Sequence, residues 1–301
     1  MGKTLKIIPK LEGLVFNLPD EEYHRVLSPD KAHYSSSQFK DAVKDIEYFH
    51  KKYISKEIVE EHSTTSLNNF AIGHAYHCLT LEPHEFESQF AIFDGPVKRG
   101  KKYEDFLAKA TAEGRKVLTE KQLTLAKFIA DASNNNEVSK ELREDEGSFA
   151  EVSCFVELHG VRVKVRADLI NFEKGYIMDM KSTTGNPKDA EAIQKKISSL
   201  SYDLSAALYL DAFNEYLGKA GEPLITEWKF CFDSKDSGTS KVWTATEDMI
   251  KVGRAKYMRG LELIKKYQAN NWVFEDSDDF IDVASWDKMQ WIPKKTDGDL
   301  L

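Results

Sequence analysis

From Val161 onward, apolar and charged residues alternate: Val161, Val163 and Val165 are set against Arg162, Lys164 and Arg166, and Asp168 continues the charged series. A period of two marks a strand with one apolar and one cationic face. A turn at Glu173, Lys174 and Gly175 follows, and Tyr176 to Lys181 reads as a second strand on which Asp179 and Lys181 point the same way. Upstream, Phe149 to Glu157 alternates too, and a turn at His159-Gly160 would pair that strand with the next one and set Glu151 beside Asp168. Sheet structure is expected to begin near Ser148.

Elsewhere the period is helical. Behind the polar run Ser35-Ser36-Ser37, which suits an N-cap, Phe39, Val43, Ile46 and Phe49/Tyr53 recur at helical spacing and predict a core-facing helix. A second helix spans about Ser66 to Leu81 and stops near Pro83. The strongly charged stretch from Gly95 to Arg143 reads as helical throughout, with Tyr103/Phe106/Leu107 and Leu123/Phe128/Ile129 as its buried faces. After a polar loop at Ser182 to Asn186 come a charged helix and another from about Tyr202 to Leu217, on which Tyr202, Ser205, Ala206 and Tyr209 form one stripe. Strands at Leu224–Phe232 and Ser240–Ala245 and a helix from Glu247 to Tyr267 complete the pattern. The organisation read from this is an N-terminal arm over residues 1–33, one α/β domain over 34–270 and a C-terminal segment over 271–301, a tail or a partner-binding piece, where an acidic run meets Trp286 and Trp291.

Composition narrows the class. With 41% hydrophobic and 31% charged residues in a chain of 301, a globular fold is expected. No apolar run reaches membrane-spanning length and the N-terminus has no signal-peptide core, so a cytoplasmic, membrane-free protein is expected. Cys78, Cys154 and Cys231 are odd in number and widely spaced, which argues against a disulfide framework or a four-cysteine metal site. The net charge of −8 has the wrong sign for coating nucleic acid, so any DNA contact must be local. Among the basic groups at Lys98–Lys102, Lys195-Lys196, Lys294-Lys295 and the Arg162/Lys164/Arg166 strand face, only the last leads to an acid cluster.

Two aspartates and a lysine on one hairpin suit metal-assisted hydrolysis of a phosphodiester. Hard oxygen ligands hold a divalent ion that neutralises phosphoryl charge and acidifies a bound water, while a lysine ammonium orients that water or stabilises the charge that develops. Six of the eight histidines fall between His33 and His84, but no C-x-x-C accompanies them, and a zinc site is poorly supported.

Asp168, the hairpin and Asp179-Met180-Lys181 resemble the D…D-x-K signature of the PD-(D/E)xK nuclease superfamily. Gly73 to Pro83, GHAYHCLTLEP, resembles the G-x-A-x-H-x-L-x-L-E-P stretch of RecE-type (exonuclease VIII-like) exonucleases, with the histidine at His77. The Q-x-x-x-Y of such nucleases is matched at Tyr209, with Ser205 in the glutamine position. The resemblance implies a restriction-endonuclease-like α/β core in which helices flank a mixed central sheet. It also implies Mg²⁺-dependent (alternatively Mn²⁺-dependent) 5′→3′ digestion of linear double-stranded DNA, leaving 3′ overhangs for recombination. A toroidal homo-oligomer, a single-strand annealing partner and a phage origin belong to the same expectation. By this resemblance His77, Asp168, Asp179 and the Met180 carbonyl hold the metal, Glu151 contributes to the metal or water network, and Lys181 orients the attacking water. Arg162, Lys164, Arg166, Tyr209 and, more weakly, Ser205 would face DNA. The rival readings are a structure-specific or CRISPR-associated RecB-like endonuclease and a non-catalytic DNA-binding or recombination-partner module.

Overall fold

The computed structural model describes residues 13–25, 33–59, 61, 63–95 and 98–274. The alternating runs form its centre. Strands β4 (Ser148–Leu158) and β5 (Val161–Asn171) pair antiparallel from Leu158↔Val161 to Ser148↔Asn171. They are joined by a two-residue turn in which His159 (φ 49°) and Gly160 (φ 77°) are both left-handed, the turn geometry whose twist matches that of the flanking strands. β6 (Tyr176–Thr183) follows antiparallel to β5, and β7 (Glu227–Ser234) lies parallel to β6. A parallel neighbour cannot be reached by a hairpin, so the chain crosses over through helices α9 (Ala190–Ser199) and α10 (Tyr202–Ala220). β8 (Ser240–Thr244) and β1 (Gly13–Val15) close the two edges, giving the order β1-β4-β5-β6-β7-β8.

Helices cover both faces of this sheet, which explains why its inner strands are nearly continuous in apolar residues. On one face α10 packs with α2 (Ser36–Lys44) and α11 (Glu247–Ala269) over Val163, Val165, Ile177, Phe230 and Phe232. On the other, α4 (Thr64–Leu81) and α7 (Glu120–Asn134) enclose Leu169, Met178, Met180 and Cys231. The architecture is thus a mixed, mostly antiparallel sheet between helical layers, as expected. Among the described residues no helix is long and apolar enough to cross a membrane.

Several local expectations differ. The arm contains not only β1 but a short helix, α1 (Asp20–Arg25), so sheet pairing starts well before Ser148. The predicted helix through Tyr53 breaks at Asp45, whose extended backbone (φ −161°, ψ 106°) lets its side chain cap the Tyr48 amide at 2.9 Å. The chain resumes as α3 (Ile46–Phe49) and one wide turn over His50–Ile54. The charged stretch is not wholly helical: β3 (Lys116–Thr119) pairs parallel with β2 (Phe90–Phe93), with Leu118 fully buried. A strand of four residues is too short to impose its period on the surrounding helices α6 (Lys101–Ala112), α7 and α8 (Glu137–Glu144); α5 (Phe86–Gln89) precedes the pair. Of the C-terminal segment, Trp272 packs on Phe49 and His50, and residues 275–301, with their acidic run and tryptophans, lie outside the described residues, as do 1–12 and 26–32.

The crossing of α10 and α11 depends on Gly253, where an added Cβ would collide with the backbone carbonyl of Asp203. Gly253→Ala is therefore expected to lower the urea midpoint by the equivalent of about 1–3 kcal/mol, despite the better helix propensity of alanine.

Candidate active site

β5 and β6 pair only through Leu169↔Met178, Ile170↔Ile177 and Asn171↔Tyr176. One residue further the strands part, and the fork is filled by a side chain: Asp168 Oδ2 accepts a hydrogen bond from the Met180 amide at 2.7 Å. The carboxylate thus replaces the carbonyl that the ladder would otherwise have offered. On the opposite side of β5 the register Ala150↔Leu169 and Val152↔Ala167 puts Glu151 directly across from Asp168. Glu151 has φ 51°, a left-handed backbone that costs a non-glycine residue about 1–2 kcal/mol. The facing pattern changes at this step. Val161 to Ala167 send every second side chain into the α10 core, whereas Leu169 enters the α4 core and Ile170 the α10 core.

His77 comes from α4, whose neighbours Ala75, Tyr76 and Cys78 are buried in the second core and fix the helix against the sheet. Its Nε2 lies 3.1 Å from the Met180 carbonyl oxygen, and its Nδ1 lies 3.8 Å from Asp168 Oδ2. If Nε2 donates to the carbonyl, Nδ1 presents a lone pair to a carboxylate, an arrangement that calls for a cation between them. One ligand atom each from His77, Glu151 and Asp168 lies within 4.8 Å of the others. Asp179 is not in that set; its Oδ1 accepts from Lys181 Nζ at 2.5 Å. The same ammonium is 3.5 Å from the Met180 carbonyl and stands 5.4 Å from the centre of the Tyr202 ring.

The electrostatics follow from confinement. Burial, followed by the facing Asp168, pushes the Glu151 carboxyl up to about 8, against the opposing pull of Arg166. Burial also raises the Asp179 carboxyl, although Lys181 pulls it back. Burial works against the Lys181 ammonium, yet Asp179 and Asp168 outweigh it and hold the group above the ordinary lysine range. Two carboxylates and one imidazole whose ligand atoms lie within 4.8 Å of one another, with the Met180 carbonyl beside the imidazole, fit a hard divalent cation such as Mg²⁺ or Mn²⁺.

The cationic face behaves otherwise than its alternation implied. Lys164 is buried, only 2% exposed, donating to the Tyr23 carbonyl at 2.8 Å and lying over the Tyr23 ring. Arg166 stacks 4.1 Å above the same ring and donates to the Leu18 carbonyl and to Ser153 Oγ. Its guanidinium also reaches to 4.0 Å from Glu151. The segment from Leu18 to Tyr23 covers this face, so Lys164 cannot meet DNA there, and Arg166 serves the acid cluster instead; only Arg162 of the three is exposed. Tyr209 is half-buried against Trp228, its hydroxyl pushed up to about 12 by burial and then by Asp179 and Asp168. Ser205 faces the same side, but its hydroxyl makes no hydrogen bond among the described residues. Two residues that bear on the site had no motif to mark them. They are Lys40 and Tyr202, which flank Lys181. Tyr202 was visible only as part of an aromatic stripe.

A carboxylate pair at a strand fork, a D-x-K strand and helices on both faces define a PD-(D/E)xK-type domain. The chain belongs to the family described as "PDDEXK-like domain of unknown function (DUF3799)", whose model matches residues 35–273. Among solved structures it is similar to the "Putative exonuclease" of Eubacterium rectale, with a TM-score of 0.57 and 14% identity over 94% of this chain and 96% of that one, a likeness of fold. Similarity to the structure named SSO0001 is weaker, with a TM-score of 0.27 and 11% identity over 74% of this chain and 84% of that one. No curated protein matches the chain.

A carboxyl whose pKa is raised in the folded state favours folding while protonated and withdraws that contribution as pH rises through the folded value. In chelator-treated protein, Glu151→Gln should therefore leave the melting temperature near the parent's at pH 4.5 and raise it above the parent's at pH 8 and beyond, the gap opening between the ordinary 4.5 and about 8. Mn²⁺ added to the parent should close the gap; melting curves across pH, with and without the ion, test both statements.

Proposed function

We propose that the chain is a divalent-metal-dependent deoxyribonuclease that degrades linear double-stranded DNA from its ends. The observation that carries this reading is the convergence of His77, Glu151 and Asp168 from three separate elements to within 4.8 Å of one another, beside the Asp179–Lys181 pair. A cation held by those ligands would neutralise the phosphoryl group and acidify the attacking water. The protein's own groups do the rest. The Met180 amide pins Asp168, so its free lone pairs point in a fixed direction at no cost during the reaction. Asp179 keeps Lys181 charged and extended along the Tyr202 ring, so Lys181 acts as a donor that positions water or stabilises phosphoryl oxygen, not as a proton acceptor. Arg166 stands behind Glu151 and limits how far its charge is suppressed. Tyr209, in the field of both aspartates, positions rather than reacts.

The finer reading, 5′→3′ exonuclease action with Mg²⁺ that leaves 3′ overhangs, is supported by the His77 and D…D-x-K resemblance and by the fold shared with the Eubacterium rectale protein named "Putative exonuclease". On the same grounds the working unit is a homo-oligomer on DNA ends, serving a single-strand annealing protein. Because Lys164 and Arg166 are covered, contacts to DNA fall to Arg162 and to groups around Lys181 and Tyr209.

An end-labelled linear duplex should be shortened with Mg²⁺ and spared with EDTA, and a covalently closed circle should survive; cutting of the circle would mark an endonuclease instead. Asp168→Ala and Lys181→Ala should each lower turnover by at least about a hundredfold. Parent-level degradation by either variant would refute the assignment.

A further inference from the structure

Among the described residues the ammonium of Lys40, on α2, has no counter-ion. It stands 5.2 Å from the centre of the Tyr202 ring, the ring that Lys181 approaches to 5.4 Å. Among the described residues the carboxylates that act on it most are Asp179, Asp203 and Asp41, and each is already taken. Asp179 holds Lys181 at 2.5 Å, Asp203 holds Lys256 at 2.6 Å, and Asp41 accepts from Lys52 at 3.0 Å and from Tyr53 at 2.8 Å. Among the described residues Lys40 itself makes no hydrogen bond or ion pair. Burial, and then the nearby Lys181, lower its pKa to about 8, so the fold pays to keep two ammonium groups beside one ring.

A lysine packed in this way, next to a like charge and with every neighbouring acid engaged elsewhere, gains most from an anion that arrives from outside. A compact ammonium suits a phosphate oxygen, where it acts as a point charge without demanding a forked geometry. Resting on the nuclease reading above, we infer that Lys40 binds a backbone phosphate of the substrate strand adjacent to the one being cleaved. The strand would then lie across the Tyr202 side of the fork, with Lys181 on the reacting phosphate and Lys40 on its neighbour. Lys40 would anchor the substrate and take no part in the bond-breaking step.

The test measures binding separately from cleavage, using the full chain, a fluorescent linear duplex and Ca²⁺ in place of Mg²⁺. Lys40→Met and Lys40→Gln keep the stem that packs along Tyr202 and remove the charge, whereas Lys40→Arg restores it. Both neutral variants are expected to bind about tenfold more weakly, with the slope of log affinity against log salt reduced by about one phosphate contact, and Lys40→Arg should recover most of the loss. In the Mg²⁺ assay the neutral variants should raise KM about tenfold and leave kcat within about threefold. A parent that binds and degrades DNA, beside neutral variants with an unchanged salt slope and KM, overturns the role of Lys40 alone. A parent that neither binds nor degrades DNA overturns the nuclease reading, and this inference with it.

Discussion

Two acids face each other across adjacent strands and cannot turn away. Asp168 is tied by the Met180 amide at 2.7 Å, and Glu151 is fixed opposite it by the strand register and by a left-handed backbone. Like charges a few ångströms apart repel by about 4 kcal/mol at an effective dielectric constant of 20. The pair must therefore find compensation: a proton, as the raised pKa of Glu151 records, or a cation. The His77 imidazole and the Met180 carbonyl lie beside them, the ring nitrogens 3.8 Å from Asp168 and 3.1 Å from that carbonyl. Much of the surrounding structure serves to keep this repulsive arrangement in place, including α4 locked into its core and Arg166 held behind Glu151.

What could be read from the chain alone was whatever has a short period or a local motif. The β4–β5–β6 meander follows from alternation and from a turn that only left-handed residues fit, and the helix bearing His77 follows from spacing and its stop at Pro83. Alternation also separated the Arg162, Lys164 and Arg166 face from the apolar one. It carries no information about what lies above a face, and here a segment some 140 residues earlier in the chain lies over it, accepting from Lys164. The burial of that lysine is a tertiary event with no local trace. For the same reason Lys40 was invisible: its neighbours Tyr202 and Lys181 come from distant elements, and in sequence it is one more lysine after a core phenylalanine. Glu151 could be placed beside Asp168 by pairing, but its left-handed conformation is imposed by the surrounding fold.

The family and fold define the scaffold, while the chemistry rests on the side chains. A likeness at 14% identity to a solved structure establishes how strands and helices are arranged, and no more. The position of the donor atoms is what distinguishes a scaffold that could still react from one that has lost its chemistry. In this chain a nitrogen and two carboxylates remain gathered at the strand fork, with a lysine ammonium alongside.

His77 belongs to a helix seated in the core under one face of the sheet, whereas Tyr202, Tyr209 and Lys40 belong to helices seated in the core above the other. The sheet between them opens at β5 and β6, so the cluster spans a seam in the molecule rather than sitting inside either half. Any strand that bridged the imidazole on one side and the Tyr202 ring on the other would act as a stitch across that seam, tying one helical layer to the other.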